Sequence, residues 1–221
     1  NLLVEIVHKS KELSHQQIAI KKITDQTTLV NIAKNHSNVD IKESAVKKIT
    51  DQKSLAEIVK TERNVTVCIF AINKISDNNF LAEIIKSNPN VDIKEAAIRK
   101  VSDQNILCDI AKNDSEPTIR EAAIRRINNI EILSDISAND VNQKVREEAM
   151  TTLKLEIEKI TDKNLLDKVI KTNPIYEIRK IAFFKKLNNI NTINIAETTT
   201  EENIIVDIAK NDEDVNARET A

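Results

Sequence analysis

The chain has 221 residues, a net charge of −2 and 31% charged residues, a balance expected of a soluble protein rather than a polyanion binder. It has no glycine, three prolines and 2% aromatic residues, which excludes glycine-rich phosphate loops and leaves few stacking platforms for bases or sugars. No apolar run approaches the length of about 20 residues that a membrane-spanning helix needs, so no membrane partner is expected.

The dominant signal is an internal repeat. An acidic residue follows an Ile-Thr, Ile-Ser or Val-Ser pair at Asp25, Asp51, Asp77 and Asp103, each 26 residues after the last, and the next step falls on Asn129. Counting from that residue, position 5 is Leu29, Leu55, Leu81, Leu107 and Leu133, and position 8 is Ile32, Ile58, Ile84, Ile110 and Ile136. Position 17 is Ile41, Val67, Ile93, Ile119 and Val145; position 21 is Ala45, Ala71, Ala97, Ala123 and Ala149; position 25 is Ile49, Ile75, Val101, Ile127 and Leu153. These spacings of three and four residues are helical, and no stretch alternates with period two. Each repeat therefore reads as two short helices, A near positions 2–11 and B near positions 15–25, and the chain as an all-α solenoid of stacked two-helix repeats.

Taken in order, residues 1–24 form a partial repeat that begins inside helix A, which leads to the expectation of an array extending beyond it. Full repeats follow at 25–50, 51–76, 77–102, 103–128 and 129–161. The last contains a seven-residue insertion, LEIEKIT at 155–161, or about two helical turns. Leu153, Ile157 and Ile160 carry the apolar stripe through it, so its second helix is expected to run from near Asn142 to Ile160. The repeat at 162–188 adds Tyr176, Phe183 and Phe184, expected to make a bulkier core. Residues 189–200 are irregular, and 201–221 are a further partial repeat. The whole of 1–221 reads as a single array. Asp25, Asp51, Asp77, Asp103 and Asp162 stand as N-caps of A helices, Asn38, Asn64 and Asn90 as N-caps of B helices, and Pro117 at a first helical position.

Two rows of charge stand out. Position 18 is basic at Lys42, Lys94, Arg120, Arg146, Arg179 and Arg218, with Cys68 the exception. On a helical wheel it lies on the inward side of helix B, which favours a structural ladder over a ligand-binding one. A backbone carbonyl, the position-1 aspartates, or Asp40 and Asp92 are the expected partners. Lys47, Lys48, Arg99, Lys100, Arg125 and Arg126 form a row near the ends of the B helices and are the candidate partner surface. Same-helix pairs Glu43–Lys47, Glu95–Arg99 and Glu121–Arg125 are expected beside it, with Glu57–Lys60, Glu83–Lys86, Asp109–Lys112 and Asp207–Lys210 on the A helices. His8, His15 and His36 have no metal-ligand spacing and read as surface or turn residues. Cys68 and Cys108 read as small buried or half-buried fillers in a reducing, cytoplasmic compartment. No catalytic residue, metal or cofactor is expected.

The helix A stretches LVNIAKN (29–35) and LCDIAKN (107–113), with the helix B stretches IKEAAIRKV (93–101) and IREAAIRRI (119–127), resemble HEAT-like repeats. The short repeat is also similar to the variant leucine-rich repeats of bacteria. The Asn, Ile and Lys bias suggests an AT-rich, bacterial or archaeal genome. The resemblance implies a right-handed superhelix with B helices on the concave side, and a non-enzymatic protein-interaction or scaffold role with another protein as partner. Nucleic-acid binding through the basic row is the alternative. HEAT-like glycosylases and lyases are further possibilities that no residue here specifically supports.

Overall fold

The computed structural model describes residues 2–190, with side chains through 187. The expected irregular segment beyond 190, the partial repeat at 201–221 and Arg218 lie outside the described residues. Fourteen helices occupy the described residues. They are α1 (Leu2–Lys9), α2 (Leu13–Lys22), α3 (Gln26–Asn35), α4 (Val39–Lys48), α5 (Gln52–Thr61), α6 (Val65–Lys74) and α7 (Asn78–Ser87). There follow α8 (Val91–Ile98), α9 (Gln104–Asn113), α10 (Pro117–Ile124), α11 (Ile130–Asn139), α12 (Gln143–Lys159), α13 (Lys163–Thr172) and α14 (Tyr176–Ile190).

The chain divides into two compact bodies, Asn1–Ala123 and Ile124–Ala221. In the first, α1–α2, α3–α4, α5–α6 and α7–α8 are hairpins; the second helices α2, α4, α6 and α8 pack in succession, and so do α3, α5 and α7. In the second, α11 packs on α12, α13 on α14, and α12 on α14. The architecture is thus all-α, with paired helices stacking on their neighbours in sequence in an α-solenoid-like arrangement.

Local chemistry sets where each helix starts. Asp25, Asp51, Asp77, Asp103 and Asp162 accept a hydrogen bond from a backbone N–H in the first turn of α3, α5, α7, α9 and α13, and Asn129 does the same for α11. Asn38, Asn64, Asn90 and Asn142 cap α4, α6, α8 and α12 in the same way. These bonds satisfy N–H groups that have no partner inside the helix. Pro117 opens α10, where its missing N–H costs nothing. The helices end without glycine. Ile23, Ile49 and Ile75 are extended, and their N–H groups donate three residues back to Ile20, Val46 and Ile72 at 3.1, 3.1 and 2.9 Å. No described residue has a positive φ, so no helix ends through the left-handed region; Arg99 at the end of α8 stays in the right-handed helical region instead.

The inward positions of the repeat form the core. Leu29, Ile32, Ile41, Ala45 and Ile49, at positions 5, 8, 17, 21 and 25, are at most 1% exposed, and their counterparts through Leu153 are buried too. Two further buried rows complete the core: Ala33, Val59, Ile85 and Ala111 at position 9, and Val46, Ile72, Ile98 and Ile124 at position 22. The helix that carries the insertion, α12, spans 17 residues between Asn142 as N-cap and Ile160 as C-cap. Ile157 and Ile160 are buried in it while Leu155 points outward. The aromatic cluster is looser than expected. Phe183 enters the core, but Phe184 is half exposed with its ring edge-on to Phe183 at 5.9 Å, and Tyr176 lies under Arg179 at 5.7 Å.

Candidate functional site

Position 18 is wired to the turn between helices A and B. Arg120, Arg146 and Arg179 each donate through Nη1 to the position-12 carbonyl of their own repeat: Asp114 at 2.9 Å, Asp140 at 2.7 Å and Asn173 at 2.8 Å. Gln16 does so to Ser10 at 2.8 Å, and the Cys68 thiol to Glu62 at 3.5 Å. The two lysines reach across a repeat boundary. Lys42 donates to the Lys34 carbonyl at 3.1 Å and pairs with Glu62, while Lys94 pairs with Asp114 at 3.2 Å. The acids that Lys42 and Lys94 find are therefore at position 12 of the following repeat, not the helix-capping aspartates or Asp40 and Asp92. Stacking places the next A–B turn over the start of helix B, while the capping carboxylates are already held by first-turn N–H groups. Cys68, which carries no charge, is followed 20 residues later by neutral Asn88, whereas Lys42 and Lys94 are followed by Glu62 and Asp114.

Position 12 is the residue that sequence reasoning missed. Ser10, His36, Glu62, Asn88, Asp114, Asp140 and Asn173 each offer a side-chain acceptor to the backbone N–H two residues on. The distances run from 2.8 Å at Glu62 and Asp140 to 3.3 Å at Ser10. The signal was present: from Ser10 to Asp140 these acceptors recur every 26 residues, although their chemical types differ. A second missed ladder joins position 2 to position 26 of the same repeat. Gln26 accepts from the Thr50 N–H at 3.0 Å, Gln52 from the Ser76 N–H at 2.7 Å and Asn78 from the Ser102 N–H at 2.8 Å. Gln26 and Gln52 also donate to the Lys48 and Lys74 carbonyls at 3.3 and 3.1 Å, closing the C-terminus of helix B.

Electrostatics follow this wiring. Burial pushes the Glu62 carboxyl upward, but the Lys42 hydrogen bond, the Asn64 N–H, the Lys42 charge and the Arg63 N–H together hold it below its ordinary value. Burial, assisted by Glu62, pushes the Cys68 thiol up to about 11. Burial also raises the Cys108 thiol. Hydrogen bonds from Thr28 and Ser54 lower Asp25 and Asp51, as expected of carboxylates capping helices.

The six residues of the basic row have different surroundings. In the first body, Lys48 sends its ammonium to the Ile20, Lys21 and Ile23 carbonyls at the end of α2, and Lys74 makes the same kind of contact to Lys47. Lys47 lies over the Phe70 ring at 5.2 Å, Arg99 meets Glu95 at 3.6 Å, and Lys100 is exposed. In the second body, Arg125 forms a two-pronged pair with Glu148 at 3.0 Å, and Arg126 is half-buried. On the A helices Glu57 and Glu83, expected to pair with Lys60 and Lys86, pair between repeats instead: Lys34 with Glu57 at 3.4 Å and Lys60 with Glu83 at 2.6 Å. Stacked A helices bring position 10 beside position 7 of the next hairpin, which competes successfully with the same-helix neighbour.

Two open grooves lie among the described residues. One of about 830 Å³ lies between α7 and α9, lined by Ile85, Lys86, Ile106 and Asp109. Another of about 430 Å³ lies between α11 and α13, lined by Ile130, Leu165 and Val169, where the buried Asn173 amide donates to Ser134 at 2.7 Å. Among the described residues no cluster of three His, Cys, Asp or Glu side chains could hold a metal ion, and no helix is long and apolar enough to cross a membrane. The chain matches no protein-family model, and no curated protein matches it.

Proposed function

We propose that the chain is a non-enzymatic protein-interaction or scaffold module, built as a HEAT-like right-handed superhelix and acting in the cytoplasm on a protein partner. One observation carries the reading: four of the six residues of the basic row make contacts within the protein. Lys48 is spent on the backbone of α2, Lys47 on Phe70, Arg99 on Glu95 and Arg125 on Glu148. What remains for a partner is the repeated helix surface that stacked hairpins present, the usual means of recognition in such arrays. The free thiols of Cys68 and Cys108 suit a reducing compartment. The exposed Lys100 favours the second reading, nucleic-acid binding along the basic row. Mobility-shift assays with duplex DNA and with RNA at about 50 mM salt separate the two. The scaffold reading expects no retarded complex at about 1 μM protein. Salt-sensitive binding tighter than that, lost in Arg99→Glu/Arg125→Glu, would overturn it.

A further inference from the structure

We infer that His36 is a pH-sensitive latch that holds α1 against the α3–α4 turn and releases it when the imidazole takes up a proton. His36 occupies position 12, where Ser10, Glu62, Asn88, Asp114, Asp140 and Asn173 all use a side-chain oxygen to accept the N–H two residues on. His36 makes the same bond with a ring nitrogen: the Asn38 N–H donates to Nδ1 at 3.1 Å. That bond requires a bare Nδ1 and so places the proton on Nε2, which donates to the Val7 carbonyl on α1 at 3.1 Å. The ring is 7% exposed and both its nitrogens are taken by backbone groups. The turn of one hairpin and the last turn of the first helix of the hairpin before it are thus bridged by a single neutral imidazole.

Imidazole is the one acceptor in this ladder whose ordinary titration falls near neutral pH. A proton on Nδ1 turns the acceptor into a donor aimed at the donor of Asn38. The ring cannot keep that position, and when it moves the bond to Val7 is lost. The charged and titratable groups nearby do not offer the imidazolium a substitute partner. His8 on α1 lies with its ring centroid at 5.5 Å, so a proton on either ring sets a cation beside the other. On α2 the position-18 residue is neutral Gln16, tied to the Ser10 carbonyl, and Lys11 and Glu12 before it are exposed. On α3, Lys34 is paired with Glu57; on α4, Lys42 is turned to Lys34 and Glu62, and Asp40 is exposed. The α2 end of the first hairpin is held independently by Lys48. Acidification therefore loosens the hold of the α3–α4 turn on α1 first.

The test is amide hydrogen exchange on the full chain at about pH 7.5 and about pH 5.5, corrected for intrinsic exchange, with His36→Asn and His8→Asn beside the wild type. Asparagine is the acceptor that Asn88 and Asn173 already supply at this position, without a titrating ring. The expected result is a loss of protection in Leu2–Lys9 of about tenfold or more in the wild type and in His8→Asn, none in His36→Asn, and none in α5–α6 of any of them. Unchanged protection of α1 in the wild type overturns the latch, as does an equal loss in His36→Asn or its disappearance in His8→Asn. Imidazole ¹⁵N spectra of the wild type give an independent check. They should show His36 with its proton on Nε2 at the higher pH and on both nitrogens once α1 opens; a proton on Nδ1 alone at the higher pH rules the proposal out.

Discussion

Glu62→Ala removes the group on which Lys42 and two backbone donors converge. The Glu62 carboxylate pairs with Lys42 and accepts the Arg63 and Asn64 N–H groups, each at 2.8 Å. The two side chains are 13% and 6% exposed, so water replaces little of what is lost. Breaking a buried pair from one side costs about 3–5 kcal/mol, because the remaining charge is left uncompensated. Lys42 keeps its bond to the Lys34 carbonyl at 3.1 Å, which places the expected loss at the lower end, about 3 kcal/mol. Glu62→Gln retains an acceptor for the N–H groups and loses only the charge, for about 1–2 kcal/mol. Combining it with Lys42→Met should cost less than the sum of the two single changes by about 1–2 kcal/mol. The pH dependence has a definite sign. The folded carboxyl titrates below its ordinary value, so its contribution is complete above the unfolded value of about 4.3 and disappears as pH falls through the lower folded value. Urea unfolding with amide exchange in α3–α6 measures both effects. A Glu62→Ala loss below about 1 kcal/mol, or an unchanged acid limb in Glu62→Gln, would refute the reasoning.

Further outcomes can be stated from single residues. Ala97, fully buried on α8, leaves no room for a larger side chain, so Ala97→Leu should cost about 1–3 kcal/mol in thermal unfolding, and an unchanged midpoint would contradict the inward face assigned here. Gln52→Ala removes the clip to the Ser76 N–H and the Lys74 carbonyl; a loss of about 1–2 kcal/mol is expected, with faster exchange at Ser76 and normal exchange in α1. Thiol labelling near neutral pH should proceed in two phases, Cys108 first and Cys68 only on opening, because Cys68 is buried and its thiol is pushed up to about 11. Equal rates would contradict that burial.

Much of the helix arrangement was legible because it is periodic. The stripe at positions 5, 8, 17, 21 and 25 needs only a count of 26, and a helix that buries one face must repeat its apolar residues every three or four positions. The capping aspartates and asparagines were legible for a similar reason, since capping involves only the next two or three residues. Position 12 was not, although it is the most connected place in the repeat. Serine, histidine, glutamate, asparagine and aspartate share no hydropathy or charge, only the ability to accept one hydrogen bond, and a pattern sorted by residue class hides that. The basic row was misleading in the opposite direction. Its members look alike in sequence, yet Lys48 closes a helix end, Lys47 covers an aromatic ring and Arg125 meets a carboxylate.

Sequence alone determined the period, the two-helix repeat, the inward stripe and the starts of the helices, all of which depend on contacts within a few residues along the chain. Tertiary structure decided which partner each charge takes. Lys60 chooses Glu83 over Glu57, one helical turn away, and Lys42 chooses Glu62 over Asp40, two residues away, because stacking brings residues 20 to 23 positions apart within reach. The same stacking sets His36 beside Val7, 29 residues away, and turns an ordinary turn residue into a junction between hairpins. Such contacts depend on how one hairpin lies on the next, a geometry that the apolar stripe requires but does not specify.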